Sequence, residues 1–274
     1  MLSSLRDIST LKSADCDNSH SARGLLRVSR RIAKRCWLDQ ETINRPRIFC
    51  QNSGGCGSTY IVDLMTRNGV ARCFHEKTPD LLEVGLDHYE RPLADGRLVR
   101  LLRYTRHDVF FEANNRLFSL TRQLAAAFPT STFLHLHRDA AESIRSSMSK
   151  QDVPAYLRDN IRFRGTLAGP HDCDAFTRVC HHWANMNRRI HDDLQSLLAD
   201  GQKPLSLRFE DLIAGRVELL EQTIEARLDK KTSQPVNVRP TRAAGKFPTY
   251  PAWSLRQKQT FERICEPVME LLGR

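Results

Sequence analysis

The chain has 274 residues, 40% of them hydrophobic and 27% charged, which is enough for one large domain with a buried core and ordinary for a soluble globular protein. A formal net charge of +10 favours an anionic partner: a nucleic acid, an anionic membrane surface or a polyanionic small molecule. No run approaches the roughly 18 apolar residues of a membrane span, and the N-terminus lacks the apolar stretch of a secretory signal.

Residues 1–20 carry little pattern. Residues 20–37, "HSARGLLRVSRRIAKRCW", are basic and free of acids, with Leu25, Ile32 and Cys36 near one helical face. A helix packed on the domain, a membrane-surface helix and an organellar presequence all fit that stretch. Residues 1–40 therefore read as an N-terminal extension and 41–274 as a single domain. From residue 46 onward strands and helices alternate. "RIFCQ" predicts a strand, Ser58–Arg67 a helix, "VARCF" (70–74) a short strand and "DVFFE" (108–112) another. A helix over 115–127 ends at "FP"; "TFLHLH" (132–137) is a strand and 139–149 a helix. The stretch 151–173 is polar and irregular, and a long helix covers about 174–199. "PLSLRF" (204–209) predicts a strand, 210–229 a helix, 232–251 a Pro/Gly/basic loop and Ala252–Leu272 the last helix. Apolar strands between helices predict a three-layer α/β fold with a central, mostly parallel sheet. In such sheets ligands sit at the carboxyl ends of the strands.

Eight cysteines, at 16, 36, 50, 56, 73, 173, 180 and 265, form no CxxC pair, and several lie in apolar runs. That usage points to a reducing compartment, hence the cytoplasm, with no disulfide framework. His171, Cys173, Cys180, His181 and His182 crowd together, but their spacing matches no familiar zinc pattern, and no metal is expected.

The chemistry begins at "QNSGGCGSTY" (51–60), a strand-to-helix turn with three glycines and two hydroxyls. Backbone N–H groups of such a turn, with the helix N-terminus behind them, favour an anion. The lysine of the GxxxxGK[ST] phosphate loop is missing after Gly57, which argues against an ordinary ATP kinase. A plain strand-to-helix turn would use the same glycines. In "TFLHLHRDAAESIRSSM", Arg138 ends a strand and Ser146 follows eight residues later. Two helical turns apart, they can clamp a second phosphate; an exposed Arg and a surface Ser would be the plainer account.

With both motifs in hand, the sequence resembles the sulfotransferases that use 3′-phosphoadenosine 5′-phosphosulfate (PAPS). Their first loop, basic–x–Gly–Thr–Thr, holds the 5′-phosphosulfate, and Gly55-Cys56-Gly57-Ser58-Thr59 stands in its place. Their second motif is a strand-end Arg with a Ser eight residues on, as in Arg138 and Ser146. "LRFEDL" (207–212) is similar to a strand-then-EDL element, and "RAAGKFPTYPAW" (242–253) to the basic loop that closes over the nucleotide. The resemblance spans about 46–273. Each motif is short, but the four fall in the family's order. "VARCFHEKT" resembles the tyrosylprotein sulfotransferase branch, whose catalytic base falls at Glu76.

The resemblance implies PAPS as co-substrate, without metal. It implies nucleotide contacts from Gly54, Gly55, Cys56, Gly57, Ser58, Thr59, Tyr60, Arg138, Ser146, Arg242, Gly245 and Lys246. It implies Glu76 as base, with His75 as a neighbour of suitable pKa and Glu112 as an alternative carboxylate. The acceptor, a small molecule, glycan or peptide, is left open, as is a homodimer. Arg158, Arg162 and Arg164 hint at an acidic acceptor or simply form a basic surface. Gly55 departs from the family, which has a cation there. Arg45, Arg47, Lys77, Arg100, Arg103, Arg106 and Lys246 are candidates to replace it; otherwise activity is weak or absent. The rivals are a P-loop small-molecule kinase, a nucleotide binder without chemistry, and a nucleic-acid binder. Against the last, aromatic residues are only 7% and do not cluster with the basic ones, as a stacking platform would require.

Overall fold

The structure, a computed structural model, describes residues 47–69, 72–76, 110–150, 153, 172–224 and 247–273. The expectations for residues 1–40, Arg45, Lys77, Arg100, Arg103, Arg106, Arg158, Arg162, Arg164, Arg242, Gly245 and Lys246 lie outside the described residues.

Five parallel strands form one sheet in the order β2-β3-β1-β4-β5. They are β1 (Arg47–Gln51), β2 (Arg72–His75), β3 (Phe110–Ala113), β4 (Thr132–His137) and β5 (Leu205–Arg208). Helices α1 (Ser58–Arg67), α2 (Thr121–Ala127), α3 (Ala140–Met148), α4 (Ala175–Ala199), α5 (Phe209–Ile213), α6 (Glu218–Ile224) and α7 (Leu255–Leu271) surround it. The architecture is the expected α/β one, and all described strands are parallel.

Every residue of β1 is buried, which is why its sequence is an apolar run with no alternation. On one side Phe49, Phe110 and Phe133 pack with Phe128 and with Met186, Ile190 and Leu194 of α4. On the other, Ile48, Cys50, Phe111, Leu134 and Leu136 meet Ile61, Leu64 and Met65 of α1 and Leu212 near β5. These are the two interfaces of a three-layer fold. The turns of α4 are started by Asp174, whose side chain accepts the Thr177 N–H at 2.8 Å. Ser254 and Gln257 form a reciprocal capping box at the start of α7, satisfying N–H groups that the helix itself cannot.

Several boundaries differ from expectation: the last helix, expected from Ala252, starts at Leu255 after a 3-10 turn over Tyr250–Ala252, and Phe209, expected to end a strand, starts α5. The stretch 115–127 opens with a 3-10 turn over Leu117–Leu120, because the Asn114 side chain accepts the Arg116 N–H at 2.9 Å and delays the helix. The helix expected over 210–229 is divided into α5 and α6, with Gly215 at a φ of 74° between them. Strand β2 runs to His75 instead of stopping at Phe74.

Strand order places β1 at the topological switch point. The chain leaves β1 through α1 to β2 and β3 on one side, then takes β4 and β5 on the other. The crevice beyond the carboxyl end of β1 is where an open α/β sheet takes its ligands, and residues 52–57 lie there.

Candidate phosphate-binding site

Gly54, Gly55 and Gly57 have φ values of 80°, 67° and 85°, a left-handed conformation that side-chain-bearing residues resist. The loop is pinned from inside. Asn52 Oδ1 accepts the Gly54 N–H at 2.9 Å. The buried Cys56 thiol donates to the Gly54 carbonyl at 3.2 Å and lies 3.3 Å from Ser53 Oγ. Cys56 is fully buried, and burial pushes its thiol pKa up, so its side chain anchors the loop and only its backbone faces outward chemistry. Tyr60 donates its N–H to the Gly57 carbonyl at 2.9 Å, and its ring packs edge-on against Phe209 at 5.7 Å. Tyr60 thus spends its N–H on the first turn of α1. Among the described residues, no acceptor takes the N–H groups of Gly55, Cys56, Gly57, Ser58 or Thr59. Five consecutive donors at a helix N-terminus form an anion cradle.

The second motif meets the first. Arg138 Nη1 donates to the Gly55 carbonyl at 3.3 Å. A methyl group added at Gly55 would lie 3.3 Å from Ser146 Cβ and 3.3 Å from Ser146 Oγ. The fold therefore brings the Arg-then-Ser helix α3 directly onto the glycine loop. It also explains the residue at 55: a φ of 67° and contact with Ser146 both disfavour a side chain there. Arg138 is also held from below, its guanidinium 5.1 Å from the Phe209 ring. Its Nη2 donates to Glu142 at 3.3 Å, and Glu142 pairs with Arg145 at 2.7 Å.

Phe209 itself was missed in the sequence. At Gly57 an added methyl would lie 2.1 Å from its ring, so ring and loop backbone are in close contact. Glu210 beside it accepts the Asp139 N–H at 2.9 Å, and Asp139 caps α3 through the Glu142 N–H at 3.0 Å. The "FE" of the strand-then-EDL element was visible as a motif, but nothing in its spacing showed which loop it touches.

The base candidates occupy different faces. His75 ends β2, and its Nε2 lies 2.8 Å from Ser58 Oγ and 3.4 Å from Thr59 Oγ1. Glu76 follows, exposed, with a φ of 47° and its N–H donated to the Ala113 carbonyl at 3.1 Å. Glu112 pairs in register with Phe74, so its side chain lies on the opposite face of the sheet from His75. It is fully buried and accepts from Asn114 at 3.3 Å. Arg47 is corrected as a source of charge for the loop. It is 1% exposed at the start of β1, with its guanidinium 4.4 Å from the Phe128 ring, about 13 Å of strand away from the carboxyl end.

The described end of the closing stretch is anchored nearby. Phe247 donates its N–H to Ser149 Oγ at 3.3 Å, one helical turn beyond Ser146. Its ring stacks on Phe176 at 5.9 Å. Of the crowded His and Cys residues, Cys180 and His182 are buried in the helical layer. Among the described residues, no group of three or more His, Cys, Asp or Glu is placed to hold a metal. Nor is any described helix long and apolar enough to cross a membrane.

Fold and loop define a parallel α/β protein with a glycine-rich strand-to-helix turn at its switch point. No protein-family model matches the chain, and no curated protein matches it. Among solved structures it is similar to the sulfotransferase domain from the Synechococcus PCC 7002 olefin synthase: 15% identity, 80% of this chain, 94% of that one, TM-score 0.45. It is similar to a sulfotransferase from Alicyclobacillus acidocaldarius: 14% identity, 84% and 96%, TM-score 0.47. It is also similar to the sulfotransferase domain from the curacin biosynthetic pathway: 12% identity, 82% and 98%, TM-score 0.47. At these identities and scores the likeness carries no argument about chemistry.

Proposed function

We propose that the chain transfers a sulfuryl group from PAPS to an acceptor hydroxyl or amine. One observation carries the reading: Arg138 Nη1 donates to the Gly55 carbonyl at 3.3 Å, and Ser146 lies so close to Gly55 that an added methyl there would be 3.3 Å from its Oγ. A loop that cradles one anion and, beside it, an Arg with a hydroxyl for a second suits a nucleotide phosphorylated at both its 5′ and 3′ ends. The donor set also fits a transferring group of low charge: backbone N–H groups, Ser58 and Thr59, with no Walker lysine after Gly57.

In such a transfer the acceptor oxygen bonds to sulfur as the bond from sulfur to the bridging phosphate oxygen breaks. The electron pair leaves on the nucleotide's 5′-phosphate, and the acceptor proton passes to a base. Catalysis is positioning plus stabilisation of charge on the leaving oxygen. Glu76, exposed at the end of β2, is the proposed base, and Glu112 the alternative. The acceptor is a small molecule, a glycan or a peptide.

Calorimetry with adenosine 3′,5′-bisphosphate (PAP), in the absence of magnesium, tests the reading. PAP should bind well and adenosine 5′-phosphate much more weakly. Arg138→Ala should weaken PAP by about 1.5–3 kcal/mol, the value of hydrogen bonds to charged groups. Equal affinity for the two nucleotides, or tight binding of ATP only with magnesium, would replace this reading with that of a kinase or a general nucleotide binder.

A further inference from the structure

We infer that His75, as imidazolium, supplies the positive charge at the phosphosulfate loop that Gly55 does not carry. The inference rests on the PAPS reading and deepens it. Three observations lead to it. Gly55 has a φ of 67° and stands against Ser146, so the loop cannot carry a cation on its own backbone there without strain. Strand β2 extends one residue further than its apolar pattern, which puts the imidazole at the carboxyl edge of the sheet. The ring then reaches across to α1, with Nε2 at 2.8 Å from Ser58 Oγ and 3.4 Å from Thr59 Oγ1. Those hydroxyls belong to the first two residues of the helix, next to the five N–H groups that have no acceptor among the described residues. β2 lies two strands from β1, roughly 10 Å across the sheet, so only the overhang of α1 allows this contact.

The surroundings permit a charge. His75 is half-buried. Among the described residues, the elements packed against β2 carry these titratable and charged groups. Helix α1 carries Asp63 and Arg67, which pair with each other at 2.8 Å. Strand β3 carries Glu112 on the far face of the sheet, and Arg116 follows β3. Cys73 precedes His75 on its own strand, its thiol pushed up to about 11 by burial, and Glu76 follows it. An anion at the loop stabilises the imidazolium. In the transfer the ring keeps its proton. Its Nε2–H donates to Ser58 Oγ, leaving that hydroxyl's own proton for the 5′-phosphate, whose bridging oxygen receives the electron pair of the breaking S–O bond, while the acceptor proton goes to the base.

The sign follows. A group whose pKa rises on binding supports binding below that pKa and withdraws support as pH rises through it. PAP affinity should therefore fall by about tenfold between roughly pH 6.5 and pH 8.5, a window above the second phosphate ionisation near pH 6. The experiment is calorimetry with PAP across that window on the wild type, His75→Gln and His75→Lys, with circular dichroism to establish folding. His75→Gln retains a hydrogen bond to Ser58 without the charge; it should bind about tenfold more weakly at the acid end and lose the slope. His75→Lys should bind at the wild-type acid-end level across the whole window. Adenosine 3′-phosphate, which lacks the 5′ group, should show no slope with any of the three. A wild-type affinity that is flat with pH, or a slope that persists in folded His75→Gln, overturns this inference while leaving the PAPS reading intact. No PAP binding at any pH overturns both.

Discussion

Glu76 stands exposed at the end of β2 with a φ of 47°, a left-handed conformation that costs an ordinary side chain about 1–2 kcal/mol. The turn is fixed by its N–H, donated to the Ala113 carbonyl. Glu76→Gln keeps this geometry and removes the basic oxygen. With an acceptor in hand, turnover should fall by at least about 10²-fold with PAP affinity unchanged, the signature of a lost general base. If Glu112→Gln shows that loss and Glu76→Gln does not, the proton goes to the buried carboxylate. The sequence pointed to both carboxylates. It could not show that Glu112 and His75 lie on opposite faces of the sheet, because that depends on pairing register, and a shift of one residue reverses the faces.

Among the elements, α5 matters more than its five residues suggest. It follows β5 with no intervening loop, so Phe209 is thrown back over the glycine turn and beneath Arg138. Gly57→Ala should be destabilised by roughly 2–5 kcal/mol, combining left-handed strain with a methyl group forced into the ring. Phe209→Ala in the same chain should recover the steric part and leave the strain. Urea unfolding of both single variants and the double variant measures the split; simple additivity would show that ring and loop are not in contact. The strands and long helices were readable in the sequence because apolar runs are local signals: β1, α1 and β4 have the expected limits, and the helix expected over about 174–199 runs over Ala175–Ala199, whereas the last helix, expected from Ala252, starts at Leu255 behind the Ser254 cap. The Phe209 contact was not readable, since it joins parts of the chain remote in sequence and depends on strand order.

For the molecule as a whole, His135 and His182, two of the buried histidines among the described residues, make stability depend on acid. His135 lies between β4 and α4, with its Nε2 2.9 Å from Asn187 Oδ1. The Asn187 amide is oriented by donation to the Trp183 carbonyl at 2.8 Å, so its oxygen faces the imidazole and Nε2–H is the donor. Burial, then nearby His137, lowers the His135 pKa to about 3. Burial, then Lys150, lowers that of His182 to about 3. Both pKa values lie below that of an unfolded histidine, so the unfolded chain binds more protons below about pH 6.5. Their contribution is complete above that pH and is lost as pH falls towards 3. Each adds a slope of about 1.4 kcal/mol per pH unit. Urea unfolding at pH 7, 6 and 5 should show this loss before most carboxylates titrate, and His182→Asn should remove about one histidine's share. Stability constant over that range would mean that the rings are protonated in the fold.

The seat of Phe209 on Gly57 also sets an order of events in time. The glycine turn is made early in synthesis, whereas the ring that covers it belongs to α5, directly after β5 and much later in the chain. Pairings between segments distant along a chain are slow to form. The nest of N–H groups is therefore completed only when β5 docks beside β4. A refolding chain should regain most of its far-ultraviolet dichroism before it can hold PAP, and a stopped-flow trace of nucleotide capture should lag behind the dichroism signal. Simultaneous recovery would place the docking of β5 among the first steps of folding.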